Sequence, residues 1–217
     1  MSEVPTRSFM DDPNIKWKSG KPNYDLVNEK YLKEKKSNHP VDSLEKLVEN
    51  AAKTFEMEST HKMDLNEWGS IADKDTFKFI VNGNYEFSAE DCLNRGNYQM
   101  LLAGCPLYNL NAHTCETSLA LFQKAFDQGF AWELTELFSG PPKIVFSWRH
   151  WTNWTGKLGN REPTNDYIEM TGMSKVIVND DLKMISAEVF YDPNPMMAKL
   201  LGLEEHANKD FPKPTDM

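Results

Sequence analysis

Four consecutive segments in the second half of this chain have the composition of β-strands. Each is rich in β-branched and aromatic side chains, and turn-forming residues separate them: 130–138, 143–151, 166–178 and 183–191. The separators contain Gly, Pro, Asn and Asp, which break a strand pattern. Four strands in succession, after a helical first half, predict an α+β fold with a mostly antiparallel sheet.

The clearest helix pattern precedes these strands. Ser43 is suited to begin a helix, and the apolar residues that follow share one helical face: Leu44, Leu47, Val48, Ala51, Ala52 and Phe55. Continuing this face by three or four residues reaches Glu58 and then His61 or Lys62. An apolar face that ends in titratable groups marks a candidate site.

Turn and capping signals organise the middle of the chain. Asn82-Gly83-Asn84 predicts a hairpin between residues 76–81 and 85–87, because Asn-Gly adopts the positive φ that a tight turn requires. Ser88 and Asp91 resemble a capping box that opens a helix through about Leu102. A further helix is predicted over residues 115–127.

The ends of the chain differ from its middle. Four prolines precede residue 43 and four follow residue 192, which indicates an arm and a tail around one folded body. We therefore expect an N-terminal arm with a short helix over 1–42, an α+β domain over 43–193 and a C-terminal tail over 194–217.

Composition excludes several classes of partner. The 24 basic and 33 acidic side chains give a net charge of −9, without the basic stripe that nucleic acid requires. No polybasic membrane patch, signal peptide or transmembrane stretch is visible. Three cysteines are too few for a disulfide framework. These features predict a soluble, cytoplasmic protein that binds neither nucleic acid nor membranes.

The familiar cofactor and metal motifs are missing. The sequence lacks the glycine-rich dinucleotide and nucleotide loops, the hydrolase elbow and the paired Cys or His spacing of zinc sites. His113 and Cys115 are weak evidence for a metal site, because no further His or Cys follows at a suitable spacing. The favoured alternative is that His113 is a loop residue beside a buried thiol. We expect no metal and no cofactor.

The alternation of side chains along the strands gives further candidate site residues. It places Trp148 and His150 on one face of their strand and Arg149 and Trp151 on the other. On neighbouring strands a carboxylate shares a face with apolar or aromatic residues, which is costly unless the carboxylate is paired or functional. Two such carboxylates follow from this argument, Glu136 beside Trp132 and Leu134, and Glu188 beside Phe190 and Asp192.

Each candidate has a structural alternative. Glu136 or Glu188 would form an ion pair with Arg149 or Lys175, and His61 and His150 would be satisfied interior histidines. The tryptophans would be core or interface residues. Asp192, which precedes Pro193, would only end a strand in a turn.

Residues 144–192 resemble the C-terminal half of a SnoaL-like polyketide cyclase domain. The matching positions are Trp148, Thr155-Gly156, Pro163-Thr164, Gly172-Met173 and Tyr191-Asp192. A broader resemblance, over about residues 17–193, is to the plant pathogen-related proteins, through KPNYDLVNEKYL (21–32), SLEKLVENAAKTFEMESTHK (43–62), GFAWELTELFSGPP (129–142), RHW (149–151) and VFYDP (189–193). Both groups belong to the nuclear transport factor 2-like superfamily. The resemblance implies a cone formed by a strongly curved antiparallel sheet, closed by helices around an apolar pocket.

The chain departs from the cyclase pattern at two positions. Related enzymes often carry a His just before the Thr-Gly and an Asp just after the Gly-Met, whereas this chain has Trp154 and Ser174. Proton chemistry would then come from the other titratable groups, which are Glu58, His61, Arg149, His150, Glu188 and Asp192.

Three functional hypotheses follow, because a fold does not determine a function. The first is a cofactor-independent enzyme of secondary metabolism that dehydrates, isomerises or cyclises an apolar polyketide or terpenoid, with cycloaddition among the reactions. Arg149 would stabilise an oxyanion and His61, His150 or Asp192 would move a proton. The pocket would be lined by Glu58, Tyr98, Glu136, Trp148, Trp151, Glu188 and Phe190. The second hypothesis is a non-catalytic carrier of an apolar ligand, and the third is a scaffold that forms a homodimer through its sheet.

Overall fold

The computed structural model describes residues 4–203, and residues 204–217 of the predicted tail lie outside this range. The helices in this range are α1 Asp25–Glu34, α2 Leu44–His61, α3 Ala89–Arg95, α4 Asn97–Leu101, α5 Cys115–Ala125 and α6 Asn194–Leu200. The strands are β1 Lys78–Val81, β2 Tyr85–Ser88, β3 Ala131–Ser139, β4 Lys143–Asn153, β5 Tyr167–Val178 and β6 Met184–Tyr191. Two 3₁₀ turns cover Leu65–Glu67 and Leu110–Ala112.

The six strands form one curved sheet that does not close into a barrel, in the order β2-β1-β6-β5-β4-β3. All neighbours are antiparallel except β1 and β6, which are parallel. The predicted α+β fold, with its curved antiparallel sheet and N-terminal helices, is confirmed. The β1–β2 hairpin is also confirmed, but its parallel pairing with β6 joins segments about a hundred residues apart, and no local signal predicted it.

The helix predicted from Ser43 is confirmed as α2. Its N-cap Ser43 accepts a hydrogen bond from the backbone nitrogen of Lys46, and Val48 and Phe55 pack into the main core against the sheet. We call the sheet face that packs on α2 the inner face and the opposite one the outer face. The helix predicted from Ser88 to Leu102 is interrupted at Gly96, which has a φ of 74°. A Cβ atom at Gly96 would lie 2.7 Å from the Sγ atom of Cys115.

The N-terminal arm packs on the body and covers the free edge of β3. The backbone nitrogens of Lys36 and Ser37 each donate to Glu133 Oε2 over 2.9 Å. His39 Nε2 lies 2.7 Å from the carbonyl oxygen of Leu134. An edge strand whose polar groups are engaged in this way is protected from pairing with another chain.

Helix α6 extends the core beyond the last strand. Met197 and Leu200 are buried in a second apolar cluster with Phe122, Phe126 and Trp154. Cys92, Cys105 and Cys115 are free thiols. No helix among residues 4–203 combines the length and apolarity needed to span a bilayer.

Candidate functional site

A cavity of about 180 Å³ lies between the inner face of the sheet and helices α2, α4 and α6. Its wall is mainly apolar and aromatic: Ala52, Phe55, Phe79, Leu101, Leu102, Phe130, Trp132, Phe146, Trp148, Met170, Val176, Met184, Ala187, Val189 and Met196. The polar residues of the wall are Lys53, Glu56, Asn97, Tyr98, His150, Ser174 and Tyr191. This composition, with a few polar groups in an apolar concavity, is typical of a small-molecule site.

An ion pair from α2 lies in this wall. Lys53 and Glu56 are one helical turn apart, so both side chains lie on the same side of the helix, with Nζ 2.7 Å from Oε2. Burial raises the pKa of Glu56, but the charges of Lys53 and Arg7 outweigh burial and bring it to about 2. Burial lowers the pKa of Lys53, and Glu56 opposes this shift. The carboxylate is therefore ionised in the ligand-free site.

His150 and Tyr98 contribute two neutral polar groups to the same wall. Burial and the charge of Lys53 lower the pKa of His150 to about 3, so its imidazole is neutral near pH 7. Its ring centroid lies 4.0 Å from that of Phe130. Burial and the charge of Glu56 raise the pKa of Tyr98, which stacks on Phe122 at 4.3 Å. The Tyr98 hydroxyl makes no hydrogen bond to residues 4–203, so it is available to a ligand.

The remaining polar groups of the wall already have protein partners. Trp148 Nε1 donates to Ser174 Oγ over 3.0 Å, and the Tyr191 hydroxyl donates to the carbonyl oxygen of Leu101 over 2.5 Å. Asn97 Nδ2 donates to Thr60 Oγ1 over 2.7 Å. The candidate groups for chemistry in the cavity are therefore Lys53, Glu56, Tyr98 and His150. In the part of the chain that the structure describes, no three His, Cys, Asp or Glu side chains are grouped to hold a metal ion.

Of the residues predicted to form the site, the structure brings three together in the cavity wall: Tyr98, Trp148 and His150. The other eight do not line the cavity: Glu58, His61, Glu136, Arg149, Trp151, Glu188, Phe190 and Asp192. Their contacts explain where each one lies.

Arg149 and Trp151 lie on the outer face, as strand alternation predicts. Arg149 Nε donates to Glu133 Oε1 over 2.6 Å, and its Nη2 donates to the carbonyl oxygen of Glu34 over 2.7 Å. The guanidinium lies 3.7 Å from the centre of the Trp151 ring, whose Nε1 donates to Glu34 Oε2. These contacts attach α1 to the sheet, on the opposite side from the cavity.

Glu58 lies at the end of α2 and anchors the next loop. It is fully buried, and its Oε1 lies 3.0 Å from Lys62 Nζ. It also accepts hydrogen bonds from the backbone nitrogens of Gly69 and Ser70. His61 lies in edge-to-face contact with Tyr24 of the arm, and burial lowers its pKa.

Glu136 is on the outer side because of a β-bulge. Leu134 pairs with Trp148 and Glu136 pairs with Ser147, so Thr135 is one extra residue in β3. The extra residue reverses the alternation, and Glu136 becomes exposed instead of sharing the inner face with Trp132.

The last strand presents its other face to the cavity. Ala187, Val189 and Tyr191 line the cavity, so Glu188 and Phe190 lie outside it. Glu188 forms a cross-strand ion pair with Lys175, which was its structural alternative. Asp192 is exposed and accepts two hydrogen bonds from Asn194 in a turn before α6.

Sequence patterns missed Lys53 and Glu56, although a signal was present. Glu56 follows Ala52 by four residues, which is a step along the apolar face of α2. The step of three residues from Phe55 leads instead to Glu58, which anchors the loop after α2.

The glycines of two motifs have steric roles. A Cβ atom at Gly172 of β5 would collide with the Trp148 ring and would lie 2.5 Å from the carbonyl oxygen of Phe190. At Gly156 it would collide with the carbonyl oxygen of Lys124. The glycine of the Gly-Met pair therefore allows close packing of the cavity wall at Trp148, and the glycine of the Thr-Gly pair allows close packing against the end of α5.

No family model matches the sequence. Solved structures with a distant likeness include a protein described as a SnoaL-like polyketide cyclase from Jannaschia sp. CCS1, with 12% identity, 62% of this chain and 76% of that chain covered, and a TM-score of 0.37. An NTF2-like protein of unknown function from Exiguobacterium sp. 255-15 has 10% identity, 78% and 93% coverage and a TM-score of 0.32. Neither likeness determines what this chain does.

A sequence relative is much nearer. The chain is 31% identical over 206 residues to the barley (Hordeum vulgare) protein named pathogen-related protein. The match covers 90% of this chain and 87% of the barley protein. This chain belongs to the family of the pathogen-related proteins.

Proposed function

We propose that this protein is a cofactor-independent enzyme that binds an apolar polyketide or terpenoid in the cavity and promotes its dehydration, isomerisation or cyclisation. The observation that carries the proposal is the Lys53–Glu56 pair, with His150 and Tyr98, in an otherwise apolar wall. Placing ionised groups among Phe and Trp side chains is costly, and such arrangements are frequent at functional sites.

The size of the cavity limits what fits. Its volume of about 180 Å³ is slightly above that of an engineered cavity of about 150 Å³ that binds benzene. One ring, or one ring-sized part of a larger substrate, therefore fits beside the polar groups. An aromatic wall of this kind favours folding of the substrate into a reactive conformer.

The four polar groups have complementary roles in this proposal. The Lys53 ammonium and the Tyr98 hydroxyl would donate hydrogen bonds to a substrate carbonyl and stabilise the negative charge that develops on its oxygen. Glu56 would take a proton from the carbon next to that carbonyl, and His150, which is neutral, would accept or return a proton.

Substrate binding would strengthen the base. The pKa of Glu56 is low because Lys53 and Arg7 outweigh the effect of burial. A substrate oxygen that draws the Lys53 ammonium away from Glu56 would leave burial less opposed and raise this pKa. The carboxylate would then become a stronger base only when substrate is present.

Incubation with candidate polyketides and terpenoids, followed by mass spectrometry, tests the proposal. We expect a product that differs from the substrate by loss of water or by isomerisation. Glu56→Gln and Tyr98→Phe should each lower kcat by about a hundredfold or more, in the range of general acid–base and oxyanion contributions. Glu86→Gln changes an exposed carboxylate of β2 in the same way and should leave kcat unchanged. Full activity of Glu56→Gln would contradict the assigned chemistry.

A non-catalytic carrier is the second candidate, and the pKa values favour it. Glu56 and His150 have pKa values of about 2 and about 3, far from those of an efficient base near pH 7. In a carrier, the same groups would only orient the ligand. If the bound ligand is recovered unchanged and binds with micromolar affinity, the result would support the carrier function.

We further propose that the protein is cytoplasmic and forms a homodimer through its outer face. Met173 and Phe190 are cross-strand neighbours on that face and are 44% and 41% exposed. Adjacent exposed apolar side chains of this kind mark interaction surfaces. Light scattering on the wild type and on Met173→Lys would test the dimer, which the variant should dissociate.

A further inference from the structure

A second, smaller cavity lies beside the first. It has a volume of about 30 Å³ and is lined by Leu47, Val48, Ala51, Ala52, Ile144, Phe146, Val176, Val178, Leu182 and Met184. Four of these residues also line the main cavity: Ala52, Phe146, Val176 and Met184. The two cavities therefore share a partition of side chains, and Met184 within it is unbranched and adaptable.

The two cavities differ in polarity. All ten residues around the second cavity are apolar, whereas Lys53, Glu56, Tyr98 and His150 lie in the wall of the first. A small apolar cavity stays dry, so a hydrocarbon group can enter it without displacing bound water. Polar and purely apolar surfaces are thus separated along one continuous inner face.

Helix α2 gives the length of the combined site. The residues that α2 contributes to the second cavity begin at Leu47, and Glu56 in the main cavity is nine residues later. At a rise of about 1.5 Å per residue, these positions are about 14 Å apart along the helix. The site is therefore elongated, with its polar end towards the C-terminus of α2.

The far end of the second cavity has two exposed apolar residues. Leu47 and Leu182 are 44% and 45% exposed, although both line the cavity. Leu182 lies in the turn between β5 and β6 with a φ of 59°, a left-handed conformation that is uncommon for leucine. Strained residues of this kind cluster at ligand clamps and switch regions.

We infer that the two cavities form one site for an amphipathic small molecule with an unbranched hydrocarbon tail. Its polar group lies among Lys53, Glu56, Tyr98 and His150. Its tail passes between Phe146 and Met184 and extends towards Leu47 and Leu182. This inference rests on the part of the proposed function that places the ligand in the main cavity, and it does not require catalysis.

Binding of a short and a long methyl ketone, 2-octanone and 2-tetradecanone, tests the inference. Trp132 and Trp148 line the main cavity, so their fluorescence reports binding of either ketone. Each buried methylene is worth about fourfold in affinity, and a cavity of about 30 Å³ has room for roughly one or two of them, so the wild type should bind the long ketone about four- to sixteenfold more tightly. Equal affinity for the two ketones would overturn the inference.

Two variants should change the space available to the hydrocarbon tail of the ligand in opposite directions. Ala51 lines only the second cavity, and Ala51→Phe should fill it, lowering affinity for 2-tetradecanone by about four- to sixteenfold while affinity for 2-octanone stays unchanged. Phe146→Leu should widen the partition and increase the preference for the long ketone. Circular dichroism confirms that each variant is folded. An equal loss of both ketones in Ala51→Phe, together with an unchanged preference in Phe146→Leu, would overturn the inference.

The outcomes also separate this inference from the proposed function. Binding that depends on chain length, without product formation, would contradict the proposed enzyme activity and support the elongated binding site. Product formation, without an effect of chain length on binding, would support the proposed enzyme activity and contradict the elongated binding site.

Discussion

At the scale of single residues, two glutamates only two residues apart on α2 have different roles. Glu58 is fully buried, with an ion pair and three hydrogen bonds from Lys62, Gly69 and Ser70, so its bonding capacity is used by the protein. Glu56 has Lys53 as its ion-pair partner and lies in the cavity wall. The number of protein partners distinguishes an anchoring carboxylate from one that is available to a ligand.

The Glu58 anchor leads to a stability prediction. Glu58→Ala should lower the free energy of unfolding by about 3–5 kcal/mol, because it leaves the buried ammonium of Lys62 without a carboxylate partner. Urea unfolding measures this loss. The control is Glu86→Ala, which breaks the exposed pair with Lys78 and should cost at most about 1 kcal/mol. Similar losses in the two variants would contradict a specific role for Glu58.

The lowered pKa of His150 leads to a prediction about pH. As the pH falls below the ordinary value of 6.5, the unfolded chain takes up a proton that the folded chain refuses until about pH 3. The unfolded state then binds more protons, so His150 makes stability fall with falling pH, by at most about 1.4 kcal/mol per pH unit. Glu56 acts in the same direction, but only below its ordinary value of 4.5.

Two measurements check the His150 prediction. In NMR titrations, the imidazole of His150 should stay neutral from about pH 8 down to about pH 5, where an ordinary histidine is charged. In urea unfolding, His150→Gln should lose less stability than the wild type between about pH 7 and about pH 5. A midpoint near pH 6.5 for the His150 ring would refute its burial in the neutral form.

At the scale of elements, strand β4 separates two functions by its alternation. Trp148 and His150 face the cavity, while Arg149 and Trp151 hold α1 on the outer face. Arg149 therefore holds the arm on the sheet, although its two neighbours in the sequence line the cavity. Period-two geometry places neighbours on opposite sides of the sheet.

Replacement of Arg149 should therefore release the arm without damaging the cavity. Arg149→Met leaves the buried Glu133 carboxylate without its ion-pair partner and should destabilise the protein by about 3–5 kcal/mol. Amide exchange at Lys36 and Ser37, which donate to Glu133, should accelerate. Ketone affinity of the folded fraction should match the wild type. A selective loss of ketone binding, with unchanged exchange, would instead support a role for Arg149 at the ligand.

At the scale of the whole molecule, the cavity depends on segments that the sequence patterns placed outside the main domain. Met196 of α6 lines the cavity, and Arg7 of the arm adds its charge to the environment of Glu56. The arm also covers the free edge of β3. Both ends of the described chain therefore contribute to a site that is built mainly by the body.

Truncation after Pro193 tests this dependence. Removing α6 exposes the cluster around Phe122 and Phe126 and takes Met196 from the cavity wall. We expect a loss of about 3 kcal/mol or more in stability, since Met197 and Leu200 are also buried, and at least tenfold weaker binding of 2-octanone. Lys199→Ala keeps α6 and should behave almost as the wild type. Unchanged affinity in the truncated chain would show that α6 is dispensable for the site.

Local patterns were sufficient for the elements and for most of the strand faces. The apolar stripe after Ser43, the Asn-Gly turn and the four β-rich segments each depend on interactions within a few residues, and all three predictions are confirmed. The inward positions of Trp148 and His150 also follow from alternation alone, because the pleat of a strand has a fixed period.

The tertiary structure decided the rest. The bulge at Thr135 reverses one strand face, and the pairing of β1 with β6 joins distant segments, so neither is encoded in a local period. The assignment of Glu56 to the cavity, and of Glu58 and Arg149 to anchors, depends on which groups other parts of the chain bring within hydrogen-bond distance. The sequence by itself determined the strands, most of the helices and the kinds of polar group available, but neither the break at Gly96 nor helix α6. Only the packing of distant segments decided which of these polar groups can meet a ligand.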